Sequence, residues 1–180
     1  SPRASVFDEV EVLAERLRAL EGVADASVLR RPPASLQVIV REVEPVALVA
    51  NQRGALAAVD ADGQALPYEL GTLDLPVVQT ADSGVVGVLA RVQAFDPALY
   101  QAIDAARPIE GSRGQRSSDV LLELGKHNVL VGPDAGPEVI QAVMLVARDL
   151  AAKARPYMEL DGRYAGQVIV RRRRVRSGSA

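Results

Sequence analysis

Cysteine and tryptophan are absent from this chain, and aromatic residues make up only 3% of it. Without cysteine there can be no disulfide and no thiolate metal site, and the compartment is left open, because an extracytoplasmic domain can do without both. Four tyrosines and two phenylalanines give no stacking platform for single-stranded nucleic acid. Any core must therefore be built from aliphatic side chains. The single histidine, His127, would need Ser117 or Ser118 and a distant aspartate to form a hydrolytic triad, and neither serine sits on a strand-to-helix elbow. It reads as a turn residue. One histidine and scattered carboxylates offer no ligand spacing for a metal, and no cofactor is expected. No run approaches the ~18 apolar residues that span a bilayer, and Ser1-Pro2-Arg3-Ala4-Ser5 lacks the apolar centre of a signal peptide. The chain is expected to be cytosolic or the soluble part of something longer.

What is present suits a folded protein. A chain of 180 residues, 48% hydrophobic and 24% charged, is long enough for one large or two small domains with a sizeable core. The formal net charge is −2, but five of the 21 basic residues are Arg171, Arg172, Arg173, Arg174 and Arg176. Before them the body is acidic, with 16 basic against 23 acidic residues. A basic end can touch anionic lipid or nucleic acid, or simply keep a terminal strand soluble. Arg173, Arg174 and Arg176 are expected beyond the sheet and mobile.

Along the chain, Val6, Val10, Leu13, Leu17 and Leu20 recur at helical spacing. Asp8 is placed to cap that helix, with Glu11 three residues on, and Gly22 ends it. Ala24, Ala26 and Val28 then alternate with polar neighbours, Pro32-Pro33 turns, and Leu36, Val38 and Val40 alternate up to Glu42, a β-hairpin pattern. Leu36, Val38 and Val40 are expected to pack on Val10, Leu13 and Leu17. Residues 56–60 read as a short strand, and Asp62-Gly63 turns into another at 64–66. The carboxylates Asp60 and Asp62 flank that turn, where aspartate is expected for backbone hydrogen bonding alone.

Residues 83–106 carry helical periodicity broken at Asp96-Pro97, which predicts two helices. A polar loop follows at 108–117. Residues 119–124 and 128–131 read as a hairpin turning at Gly125-Lys126-His127, Pro137 opens a long helix, and Pro156 stops it. At the end of the chain, residues 157–176 comprise a turn-rich segment, the strand Gln167-Val168-Ile169-Val170, and the arginine run. A last strand has one neighbour only, so its second row of N–H and C=O groups must be covered, protected by charge, or offered to a partner strand. The arginines protect one end of it. Gly111-Ser112-Arg113-Gly114 matches the GxxG of an RNA-binding KH loop, but a helix should follow and 119–124 looks extended. Gly84-Val85-Val86-Gly87 is a weak signal, and no phosphate-binding loop is present.

Val23, Ala26, Val28, Arg30, Pro33, Leu36, Val38, Val40, Glu42, Pro45, Val46 and Ala47 together form a pattern that resembles the second half of the POTRA domain in the FtsQ/DivIB family of bacterial cell-division proteins. Residues 56–63 and Leu75-Pro76 are similar to that family's next segment. The order helix, hairpin, helix, terminal strands is similar to its β-domain. Glu159-Leu160-Asp161-Gly162-Arg163-Tyr164, followed by Gly166 and the valine-rich strand, resembles its terminal segment, with Asp161-Gly162 as two extra residues.

The resemblance implies an α+β fold: a truncated POTRA-like subdomain (helix plus short β-sheet, lacking its first strand and helix) over residues 1–75. An FtsQ-type β-domain would follow over 76–174, with helices packed on a mostly antiparallel sheet, and then a flexible tail at 175–180. It implies a non-enzymatic divisome scaffold at the division site, extracytoplasmic and anchored in the inner membrane through a segment absent from this chain. Such a scaffold binds small division proteins of the FtsB and FtsL type, and other divisome members through the POTRA part, and links early and late division proteins during septum formation. The partner-binding residues would be Arg163, Tyr164, Gly166, Gln167, Val168, Ile169, Val170 and Arg171, with Arg163 and Tyr164 as side-chain selectors. Two other readings stay open, a POTRA fragment of a secretion or outer-membrane assembly protein and a nucleic-acid-binding module using the arginine tail and the GSRG loop. No repeat of the 23–47 pattern is visible to favour the former, and no nucleic-acid partner is expected.

Overall fold

The computed structural model describes residues 6–50, 54–79, 82–109 and 119–172. The GSRG loop, Ser117, Ser118 and the arginines from 173 on lie outside the described residues. Within the chain, contacts define two compact units. One holds the residues up to Glu44 together with Leu66–Tyr68, and the other holds Pro45–Ala65 and the residues from Glu69 on.

In the first unit, helix α1 (Val6–Arg18) precedes strands β1 (Val23–Arg31) and β2 (Ser35–Glu42), which pair antiparallel as a two-stranded ribbon. Asp8 falls inside the first turn of α1 rather than ahead of it. Gly22, at φ +81°, makes the left-handed turn into β1, a conformation that costs glycine nothing. Helix α1 packs on β1, whose Ala26 and Val28 are buried. Ala26 pairs with Val40, Val28 with Val38 and Arg30 with Leu36, and directly opposed residues share a face of the ribbon. Leu36, Val38 and Val40 thus lie on the side that α1 approaches. The helix covers β1 alone, and Val38 keeps 47% of its surface exposed. The expected packing of all three on α1 is corrected by this geometry: α1 sits over β1, and Leu36, Val38 and Val40 all stay exposed. The Tyr68 hydroxyl donates to the Val43 carbonyl oxygen at 2.8 Å and ties the end of this unit.

In the second unit, β3 (Ala47–Ala50) and β4 (Leu56–Val59) lead to the two-residue β5 (Ala65–Leu66), of which Leu66 is counted with the first unit. The Asp60 carboxylate accepts from the N–H groups of Asp62 and Gln64 at 2.9 and 2.8 Å, so it builds a turn. Strand β6 (Val77–Val78) is followed by α2 (Ser83–Phe95) and α3 (Pro97–Gln101). The Asp82 carboxylate accepts from the first N–H groups of α2, and the Asp96 carboxylate accepts from Leu99 N–H at 2.9 Å. These are N-caps, each of which stabilises by about 1 kcal/mol. The chain continues through β7 (Ala105–Ile109), β8 (Asp119–Leu124), β9 (His127–Val131), α4 (Pro137–Ala152), β10 (Glu159–Tyr164) and β11 (Gln167–Arg171).

These strands form one sheet in the order β11-β10-β9-β8-β7-β6-β3-β4-β5. Its pairs are antiparallel except β9 with β10, β3 with β6 and β6 with β7, among the registers resolved. The fold is therefore α+β with helices on a large, mostly antiparallel sheet, as the sequence implies. Its core runs from Val78, Val85 and Leu89 through Val120 and Leu122 to Val143 and Leu160. Each such side chain contributes roughly 1.5 to 3 kcal/mol. The Tyr100 hydroxyl donates to the Val46 carbonyl oxygen at 2.7 Å. Burial, with a smaller push from Asp74, raises that phenol to about 12.

Several sequence expectations change here. Strands β3 and β4, grouped above with the amino-terminal part, pair within the large sheet. Residues 105–109 are a strand, not the end of a helix and the start of a loop: they pair antiparallel with β8, Pro108 standing opposite Val120. His127 opens β9 rather than turning the hairpin, and its ring stacks on Tyr157 with centroids 4.4 Å apart. Gly162, in the segment read above as turn-rich, makes no turn. It lies inside β10, where a β-carbon would come within 2.9 Å of Val143 Cγ2 and 3.2 Å of Val139 Cγ1, so α4 can lie close only because no side chain is there.

Candidate functional site: an open edge strand

Strand β11 ends the sheet, so among the described residues one row of its backbone N–H and C=O groups has no strand partner. It forms a hairpin with β10, Tyr164 facing Gln167 across the Ala165-Gly166 turn. Gly166 supplies that turn with φ +69°. Between Asp161 and Tyr164 the register shifts. Gly162 and Arg163 thus stand against Val168 alone, a β-bulge, and a bulge re-aims side chains beside it.

Alternation sorts β11 onto two faces. Val168 and Val170 are half-buried and pack against the core on the α4 side. Gln167, Ile169 and Arg171 are exposed. On the α4 side a groove of about 120 Å³ is lined by Glu138, Val139, Ala142, Tyr164, Gln167 and Val168 among others. Tyr164 is 41% exposed at its rim, an aromatic with an apolar body and a polar tip, the residue type that anchors interfaces.

The opposite face of the hairpin carries an ion-pair network. The guanidinium of Arg163 grips Asp161 with two prongs, Nε to Oδ1 at 2.8 Å and Nη2 to Oδ2 at 2.7 Å. Its Nη1 donates to Asp119 Oδ2 at 2.6 Å. The side chains of Arg163 and Asp161 are 12% and 0% exposed. Burial alone would push the Asp161 carboxyl up, but the hydrogen bonds and charge of Arg163, with help from Arg171, hold it below the usual aspartate range. Those same carboxylates raise the pKa of Arg163. Arg171 pairs with its cross-strand neighbour Glu159 at 3.2 Å and reaches Asp161 at 3.7 Å, and remains more than half exposed.

The structure therefore gathers the eight residues singled out in the sequence onto one hairpin, and it changes the role of one. Arg163 is engaged inside, with its guanidinium carbon also 5.9 Å from the Tyr164 ring centroid. It holds the hairpin rather than presenting a charge to a partner. Asp119, Asp161 and Val139 belong to the same constellation and were not singled out. Asp119 lies 44 residues before Arg163, and only sheet register brings them together. Among the described residues no group of three or more His, Asp or Glu is arranged to hold a metal ion, and no helix is long and apolar enough to cross a membrane.

No protein-family model matches the sequence, and no curated protein matches it. Among solved structures, the chain is similar to the major extracytoplasmic domain of the trans isomer of the bacterial cell division protein DivIB from Geobacillus stearothermophilus. The TM-score is 0.43 at 17% sequence identity, over 62% of this chain and 97% of that one.

Proposed function

We propose that this chain is an extracytoplasmic, non-enzymatic protein-binding domain of bacterial cell division, of the FtsQ/DivIB kind. It takes up an extended segment of a small division protein of the FtsB or FtsL type as an added strand along β11. The observation that carries this reading is the free edge of β11, β-branched at three successive positions, with Tyr164 and a groove beside it. Main-chain hydrogen bonds supply affinity in strand addition, and pockets for alternate side chains supply specificity. The sequence pattern at 23–47 and the terminal Arg163-Tyr164 segment point to the division family.

Titrating the folded chain with an FtsB-type peptide, with Tyr164→Ala alongside, tests the proposal. Losing an aromatic anchor at an interface costs about 2 kcal/mol, or some thirtyfold in Kd, whereas its 41% exposure predicts a small shift in melting temperature. Full binding by Tyr164→Ala together with a lowered melting temperature would show that Tyr164 only closes the core. A peptide that fails to bind the unaltered chain would remove the assignment of partner.

A further inference from the structure

The tip of the β10–β11 hairpin has an unusual support. The β9 partners of β10 are Asn128, Val129 and Leu130, opposite Glu159, Leu160 and Asp161. On its other side β9 pairs with β8 as far as Val131, opposite Val120. The β9–β10 register ends at Asp161 opposite Leu130 and β9 itself ends one residue on at Val131, so residues 163–164 of the hairpin lie beyond the end of β9. The bulge at Gly162 and Arg163 falls at that end. A two-stranded ribbon is marginal in water without a further strand or a packed face. There the Arg163 guanidinium is held by Asp161 on its own strand and by Asp119 at the start of β8.

We propose that Asp119 is a positioning residue for the binding edge: acting through Arg163, its carboxylate ties the hairpin tip to the start of β8 and holds it, with Tyr164 and the start of β11, in the plane of the sheet. That this edge binds a partner rests on the function proposed above; that the clamp holds the tip does not. Only an arginine can do this. Three separate donors of one planar fork engage two carboxylates, which a point-charge lysine cannot reproduce. Asp119 is also the informative member to change, because removing its charge leaves Arg163 still paired with Asp161 and strands no buried ion. Removing the Arg163 side chain would leave the fully buried Asp161 carboxylate with the backbone N–H of residue 163 at 3.3 Å and the longer contact to Arg171.

The test is residue-resolved amide hydrogen exchange on the whole chain as Asp119→Asn and Asp119→Glu, with FtsB-type peptide titrations in parallel. Loss of one charge-assisted hydrogen bond predicts roughly tenfold faster exchange at residues 163–168 in Asp119→Asn, with amides of β7, β8 and β9 unchanged. Asp119→Glu, which keeps the anion, should restore most of that protection. The peptide Kd should rise by a similar factor in Asp119→Asn, since apparent affinity falls with the fraction of molecules whose edge is competent. Unchanged exchange at the tip overturns the proposal. So does an equal rise throughout the unit, which would make Asp119 a general stability residue. If the unaltered chain does not bind the peptide while the tip responds to Asp119→Asn, the clamp stands and the function proposed above falls.

Discussion

Strands β2 and β8 read alike in the sequence, Ser-Leu-Gln-Val-Ile-Val-Arg-Glu against Asp-Val-Leu-Leu-Glu-Leu, yet every residue of β2 is exposed and the first four of β8 are buried. The difference lies in what surrounds each strand. β8 has β7 on one side, β9 on the other and α2 against its core face. β2 has β1 alone, and the helix of its unit sits on β1. Alternation and β-branching report that a segment is extended. They do not report whether anything covers it.

The comparison breaks most sharply under one kind of substitution placed in both strands. Val120 is fully buried in the β8 core, so Val120→Asp puts an unpaired carboxylate among Val85, Leu89 and their neighbours. That should cost about 4 kcal/mol or more, enough to unfold much of the second unit, read as loss of the cooperative transition in urea. A folded Val120→Asp protein with an unshifted midpoint would contradict the core assignment.

Next in size is the buried ion network of the second unit, which has no counterpart in the first, where the pairs of Arg18 with Glu11 and Asp25 are exposed. Arg163→Met leaves Asp161 buried with the backbone N–H of residue 163 and the more distant Arg171, a change of about 3 kcal/mol at neutral pH. The sign of the pH dependence should reverse as well. In the unaltered protein the folded Asp161 pKa lies below its usual value of 3.8, so its contribution is present above about pH 4 and is lost as pH falls through the folded pKa. Without Arg163, burial is left to raise that pKa, and protonation then relieves the folded state. Urea midpoints at pH 3.5 and 7 should therefore lie closer to those of the unaltered protein at the lower pH, and a gap that widens toward acid would refute the role given to Arg163.

Much of this architecture is legible in the sequence. The Asp96-Pro97 break divides α2 from α3, Pro137 opens α4, the β1–β2 hairpin follows from alternation, and the β8–β9 hairpin from two short apolar runs about Gly125-Lys126. Strands β3, β6 and β7 were missed for physical reasons. Val77–Val78 is too short to show a period, Ala47–Ala50 is an unbroken apolar run, and Pro108 argues against a strand wherever its neighbours are unknown. The candidate edge was visible because a terminal valine-rich strand has one neighbour. Its support was not visible, because Asp119 meets Arg163 through the register of three strands, and a spacing of 44 residues carries no local signal. Gly162 looked like a turn for a related reason, since a glycine that admits a helix and one that admits a turn are the same letter.

The smallest effect belongs to the first unit and is the one that sequence alone would misjudge. Alternation puts Val38 on an inward face, and on that ground Val38→Asp should unfold the helix and hairpin. With 47% of its surface exposed, the new carboxylate can stay hydrated, and what remains is the weaker β-propensity of aspartate and a lost contact with Val28 across the ribbon. That amounts to about 1 kcal/mol. Amide exchange is the measurement that decides, since it reads each unit separately. Exchange at β1 and β2 should already be faster than at β8 and β9 in the unaltered chain, because so little apolar surface is buried around them. In Val38→Asp it should rise only about fivefold, with β8 and β9 unmoved. Complete loss of protection in β1 and β2 would mean that the face carrying Leu36, Val38 and Val40 is covered after all, and the contrast between the two strands would fall with it.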